Sequence, residues 1–119
     1  MSSASPLPLL LATVLAPVAL LTGCHSTPGP VPLDQLNPQQ LRGHQVFAAR
    51  CSGCHHDRED GPLHGPSLRG VFRKPYLPSG APANNDRVSS TLAHGRNMMP
   101  PQPMDLQDLD DLLAYLHTL

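Results

Sequence analysis

Cys51, Cys54 and His55 stand within one five-residue stretch, Cys51-Ser52-Gly53-Cys54-His55, and their side chains can act together. Each thiol can add across one of the two vinyl groups on a porphyrin edge. The imidazole that follows then lies under the ring centre, where a neutral ring nitrogen can ligate iron, so the residues needed for covalent haem attachment are present. The same C-x-x-C spacing also serves zinc sites and dithiol redox centres. His56 and His64 offer further ligands for a Cys/His zinc site, whereas no second C-x-x-C exists for a four-thiolate one. A thioredoxin-like dithiol needs a βαβ surround, and no strand-like alternation occurs nearby.

The composition favours a molecule built around a cofactor. A chain of 119 residues is enough for one small domain, and it has no Trp, two Tyr and two Phe, so aromatic side chains supply little core. Fifteen Pro and nine Gly imply long loops. Domains of this size usually need a staple, and a buried haem is itself a large apolar core element. The formal charge of −1, with both signs scattered along the chain, leaves no basic footprint for nucleic acid.

The first 23 residues carry no charged side chain. Leu7 to Leu21 is a Leu- and Ala-rich run, too short to span a bilayer comfortably but suited to the apolar part of a signal peptide over residues 1–23. It ends in Leu21-Thr22-Gly23-Cys24, which resembles the lipobox of bacterial lipoproteins and marks Cys24 for lipidation. No Lys or Arg precedes the run, so the terminal amine is the only positive charge there; an ordinary cleaved export signal with a free Cys24 is the plainer alternative. With Cys24 lipidated, Cys51 and Cys54 remain for haem. Residues 24–36 then read as a Pro-rich tether, and residues 25–36, kept extended by their prolines at about 3.1 Å per residue, would hold a domain over 37–119 roughly 35–40 Å from the membrane.

Three helices must position the site. Asn37 as N-cap, Pro38 in the first helical position and Gln40 at the third predict a helix running to about Arg50, with Leu36 and Leu41 as a staple across its cap. Gly43 and Phe47, four apart, share one face, and the Gly implies a second helix crossing closely. From His56 to Asn85 no periodicity is visible, and a loop of that length is consistent with chain wrapped around something. Asp86 is expected to cap a helix over Arg87–His94, with Val88 and Leu92 inward and Gly95 as its stop. Asp105 caps a last helix in which Leu109, Leu112, Leu113 and Leu116 recur at helical spacing, with Met104 and Leu109 as a further staple. Asp105, Asp108, Asp110 and Asp111 crowd its N-terminal half, where the helix dipole favours negative charge. Tyr115 and the leucines are candidates to meet Gly43 and Phe47.

Four motifs in order give a resemblance. Gly43-x-x-x-Phe47-x-x-x-Cys51-x-x-Cys54-His55, then Gly65-Pro66-x-Leu68-x-Gly70, then Gly95-x-x-x-Met99-Pro100, then Leu112–Leu116 with Tyr115, together resemble a class I cytochrome c over about residues 38–119. Thr91–Leu119 most resembles the small bacterial haem-c domains. The resemblance implies a small all-α class I cytochrome c fold, with about three main helices and long loops around one covalent haem c per chain. It implies His55 as the proximal iron ligand, Pro66 as the residue whose carbonyl accepts from that imidazole, and Met99 as the distal ligand, with the neighbouring Met98 as competitor. A thioether ligand raises the potential relative to bis-imidazole ligation. Met104 is assigned to core packing. His94 could replace Met99, although a surface position at a helix end suits it better; His44, His56, His64 and His117 are assigned to solvent. Arg69, Arg73, Tyr76 and Asn84 are the candidates to hold the haem propionates.

The implied function is one-electron transfer in the bacterial cell envelope, by a lipid-anchored protein facing the periplasm or exterior. Its partners would be redox proteins and a membrane, with no small-molecule substrate and no enzymatic site. Two alternatives stand beside it: a haem subunit of a larger membrane oxidoreductase, and a ligand-binding or peroxidase-like haem protein. Met99-Pro100 argues against the last, because that chemistry needs a vacant or labile sixth position.

Overall fold

The computed structural model describes Met1 and residues 28–119. The expected signal sequence, apart from Met1, and Cys24 lie outside the described residues. Within them the chain forms a single 3-10 turn, Leu33–Gln35, and three helices: α1 (Pro38–Arg50), α2 (Asn85–His94) and α3 (Leu106–Leu116). No β-strand occurs among the described residues, only isolated bridges at Tyr76–Pro82 and Arg96–Met99. No helix among them is long and apolar enough to cross a membrane. The fold is the small all-α one that the sequence implied.

Helix α1 starts where its cap residues dictate. The Asn37 side chain accepts from the Gln40 N–H (2.9 Å) and the Gln40 side chain accepts from the Asn37 N–H (3.0 Å), a reciprocal capping box with Pro38 in the first turn. Leu36 packs against the core, while Leu41 remains 44 % exposed. The α3 cap also follows expectation, with the Asp105 side chain accepting from the Asp108 N–H at 2.8 Å. Helix α2 differs. Asn84, not Asp86, is its cap, accepting from the Arg87 N–H at 2.9 Å, and the helix begins two residues earlier than expected. Asn84, Asn85 and Asp86 can all cap; the extended backbone at Asn84 (φ −141°, ψ 167°) selects the first, and Asp86 falls in the opening turn.

Helices α1 and α3 form the main packing contact. Gly43 makes it possible, since a Cβ there would lie 1.9 Å from the Asp111 carbonyl oxygen and 2.7 Å from Tyr115 Cβ. One turn on, Phe47 meets Tyr115 with ring centroids 6.0 Å apart. Around this crossing Val71, Val88, Leu92, Leu112, Leu113, Leu116 and Leu119 are buried, each such aliphatic side chain contributing roughly 1.5–3 kcal/mol. Met104 and Leu109 pack against the same cluster.

An ion pair locks the crossing. Arg42 donates through Nε to Asp111 Oδ2 (2.7 Å) and through Nη2 to Oδ1 (3.0 Å), and Gln107 Nε2 donates to Oδ1 at 3.0 Å. Asp111, grouped in sequence with the dipole-directed acids, is a buried carboxylate at 2 % exposure. The Arg42 guanidinium holds it below the usual carboxylate range.

Residues 28–36, expected as part of an extended tether, instead lie on the domain. Val31 N–H donates to the Thr118 carbonyl (2.8 Å), Arg58 donates to the Val31 carbonyl, and Arg73 donates to the carbonyls of Pro28 and Gly29. The cause lies in the Pro-spaced backbone before the 3-10 turn, where the carbonyls of Pro28, Gly29 and Val31 are open to side-chain donors.

Candidate functional site

The end of α1 becomes the site. The Cys51 N–H donates to the Phe47 carbonyl (2.8 Å), and the N–H groups of Cys54 and His55 donate to the Cys51 carbonyl (3.0 and 2.9 Å). One tight turn therefore carries both thiols and the imidazole. The two cysteines are unbridged, Cys51 buried and Cys54 exposed. Burial pushes the Cys51 thiol up to about 11, so it stays protonated at neutral pH. That is the reverse of the depressed thiol that a dithiol redox centre uses. The zinc reading also lacks geometry, since no three His, Cys, Asp or Glu side chains converge among the described residues.

His55 is held on two sides. Its Nδ1 lies 2.8 Å from the Pro66 carbonyl oxygen, which fixes the tautomer with Nδ1–H donating and leaves Nε2 with a free lone pair. A Cβ on Gly65 would fall 2.4 Å from His55 Cε1 and 2.8 Å from Nδ1, so only glycine lets the imidazole rest against this backbone. The Gly65 N–H in turn donates to the Cys54 carbonyl (2.7 Å), and the Leu68 N–H to the His56 carbonyl (2.8 Å), tying the Gly65-Pro66 segment to the Cys–His turn.

The loop after Gly95 separates the two methionines. Gly95 ends α2 at φ +71°, and a Cβ there would meet the Met99 carbonyl oxygen at 2.5 Å. Arg96 and Met99 exchange both backbone hydrogen bonds (2.9 Å each), with Asn97 at φ +51° in the turn between them. Met98 therefore sits at the tip, 90 % exposed, while Met99 packs against the core cluster. His94 is exposed, its Nδ1 2.9 Å from the Ser90 carbonyl oxygen.

Several polar side chains have roles that the sequence left open. Tyr115 donates its hydroxyl to Asp57, two residues past His55, and accepts from Arg58 at 3.5 Å. Burial, with Asp57 beside it, pushes the Tyr115 hydroxyl up. The closing helix is thereby tied to the loop that carries the imidazole. His44, assigned to solvent, is half-buried edge-on to Tyr115 at 5.1 Å, because Gly43 draws that part of α1 onto α3. His117 stacks on Phe72 (3.9 Å) with its Nε2 2.8 Å from Asn85 Oδ1, His56 is half-buried, and His64 is exposed. Of the propionate candidates, Arg69 pairs with Asp60, Arg73 with the Pro28 and Gly29 carbonyls, and the Asn84 oxygen with the α2 cap. Tyr76 is 61 % exposed.

Two unbridged thiols and an imidazole on one turn, with that ring's tautomer fixed and its face cradled by glycine, suit a covalently held iron porphyrin. Comparison with curated proteins returns no match. The family model for Cytochrome c matches residues 40–119, which takes in α1 from its first turn, the Cys–His turn, the loop carrying Met98 and Met99 and all of α3. The chain belongs to the cytochrome c family, as a class I c-type cytochrome whose cofactor is covalent haem c.

Proposed function

We propose that the protein is a one-electron carrier, with Cys51 and Cys54 forming the thioether bonds and His55 and Met99 as the axial ligands. Membership of the family gives haem-based electron transfer. The observation that carries the finer reading is the His55 ring, pinned through Nδ1 to the Pro66 carbonyl at 2.8 Å with Nε2 left for iron. Haem iron supplies the ferric–ferrous couple. With haem bound, the chain's own residues would hold the two ligands in place: Pro66 and Gly65 fix the imidazole, and the Arg96–Met99 backbone pairing, with Pro100 behind it, restricts the loop that would present the thioether. A closed sixth position passes electrons without admitting a substrate, which favours a carrier over a peroxidase-like protein.

The lipobox-like Leu21–Cys24 after a charge-free apolar run supports a location in the bacterial cell envelope, with Cys24 lipidated. Two acyl chains from a diacylglycerol suffice for stable anchoring.

The axial pair is tested on the full-length holoprotein. Met99→Ala removes the long-wavelength thioether-to-iron absorption, lowers the potential and opens the reduced protein to carbon monoxide, whereas Met98→Ala leaves all three unchanged. The reverse result moves the ligand to Met98. Rapid, complete carbon monoxide binding by the folded wild type would refute the closed-site carrier.

A further inference from the structure

Residues 28–36 precede the matched family segment, yet the fold clasps them. Arg73 holds Pro28 and Gly29, Arg58 holds Val31, and the Thr118 carbonyl accepts from the Val31 N–H. The clasp leaves Pro28 in an open cleft of about 340 Å³, lined also by Asp60, Arg69, Gly70, Arg73 and Lys74. Three cations against one carboxylate leave two positive charges on the cleft, in a chain whose formal net charge is −1. Asp60 is matched by Arg69, and Arg73 donates to neutral carbonyls that remove none of its charge. The excess therefore belongs to Arg73 and to Lys74, the chain's single lysine, which is exposed.

The sequence distance to Cys24 gives this charge its meaning. Cys24 is four residues ahead of Pro28, and four residues reach roughly 14 Å at full extension. The headgroup layer of one leaflet is itself about 5–8 Å thick. A lipid on Cys24 would thus confine the Pro28 cleft to within about one Debye length of the phosphates. We infer that the cleft around Pro28, Arg73 and Lys74 is a docking surface for anionic phospholipid headgroups, which orients the haem domain on the membrane. The inference rests on the lipid-anchor reading of Cys24 for its proximity, and on the cleft's own charge for its chemistry.

The test uses full-length holoprotein purified from membranes, with the lipid on Cys24 read directly by mass. Labelling of the Lys74 amine by a water-soluble amine-reactive ester is followed on vesicles of phosphatidylcholine alone and on vesicles with a third phosphatidylglycerol. The expected result is labelling about fivefold slower on the anionic vesicles, roughly the effect of one cation near such a surface, with the difference abolished by 1 M salt. Equal labelling on both vesicle types, with lipid present on Cys24, overturns the docking surface and leaves the anchor intact. Protection on native membranes but on neither vesicle type means a protein partner, and also overturns it. Absence of lipid on Cys24, with anionic-vesicle protection retained, refutes the anchor while the docking surface stands.

Discussion

Gly43→Ala tests the central packing claim, because one methyl is placed where α1 and α3 touch backbone to backbone. The new Cβ would lie 1.9 Å from the Asp111 carbonyl oxygen, against about 3.4 Å for the start of ordinary contact, so α1 must recede by about 1.5 Å or both helices must distort. Overpacking of this kind costs about 1–3 kcal/mol. Receding instead opens a gap beside Phe47 (2 % exposed) and Tyr115 (0 %), and gaps of even 0.5–1 Å forfeit a quarter to a half of the dispersion well. It also stretches the Arg42–Asp111 pair, each member of which neighbours or shares the clash. Alanine's better helix propensity returns about 0.8–1.0 kcal/mol. A net loss of about 2 kcal/mol remains, which for a domain of this size lowers Tm by roughly 8–16 °C. Far-UV circular dichroism melts of oxidised holoprotein measure it, with the exposed α1 position Gln45→Ala as control. A Tm equal to or above wild type would refute the close crossing, since only the propensity gain would then be left.

Gly65→Ala places a methyl 2.4 Å from the His55 ring; the expected outcome is a shifted Soret band and a changed potential, with α-helix content retained. Tyr115→Phe leaves Asp57 without its hydroxyl donor, and denaturant titration should show a loss of about 1–3 kcal/mol, typical of a hydrogen bond to a charged acceptor removed from a half-buried site. Asp111 is held below the ordinary carboxylate range by Arg42, so its folded pKa lies under the unfolded value of about 3.9. Its contribution is complete above the unfolded pKa and is lost as pH falls through the folded one. Wild-type stability should therefore decline below about pH 4, with a shallower decline in Asp111→Asn, followed by acid titration of Tm.

The helices, the Cys–His turn and the Met99-Pro100 loop were legible because each is written locally. Caps, spacing and turn residues act over three or four positions, and Asn37, Pro38 and Gln40 specify the start of α1 with no help from the rest of the chain. Even there a local choice among equals went astray: Asn84, Asn85 and Asp86 can each cap, and the backbone entering α2 decided for the first. Gly43 signalled that something crosses closely, but not that the Asp111 carbonyl is the atom it meets.

What sequence spacing could not supply were the contacts between residues far apart in the chain. Arg42 reaches Asp111 across 69 positions, Tyr115 reaches Asp57 across 58, and Arg73 reaches Pro28 across 45. An arginine or aspartate carries no local mark of its partner, because charge pairing depends on where the helices bring the side chains and not on their order. For the same reason the Pro-rich stretch read as a free tether, although its unpaired carbonyls suited the arginines that the fold set against them. The residues that can hold the haem were determined by the sequence alone. How firmly His55 is fixed, which methionine turns inward, and where residues 28–31 rest on the domain were decided by the tertiary structure, because each depends on packing between segments that the chain keeps apart.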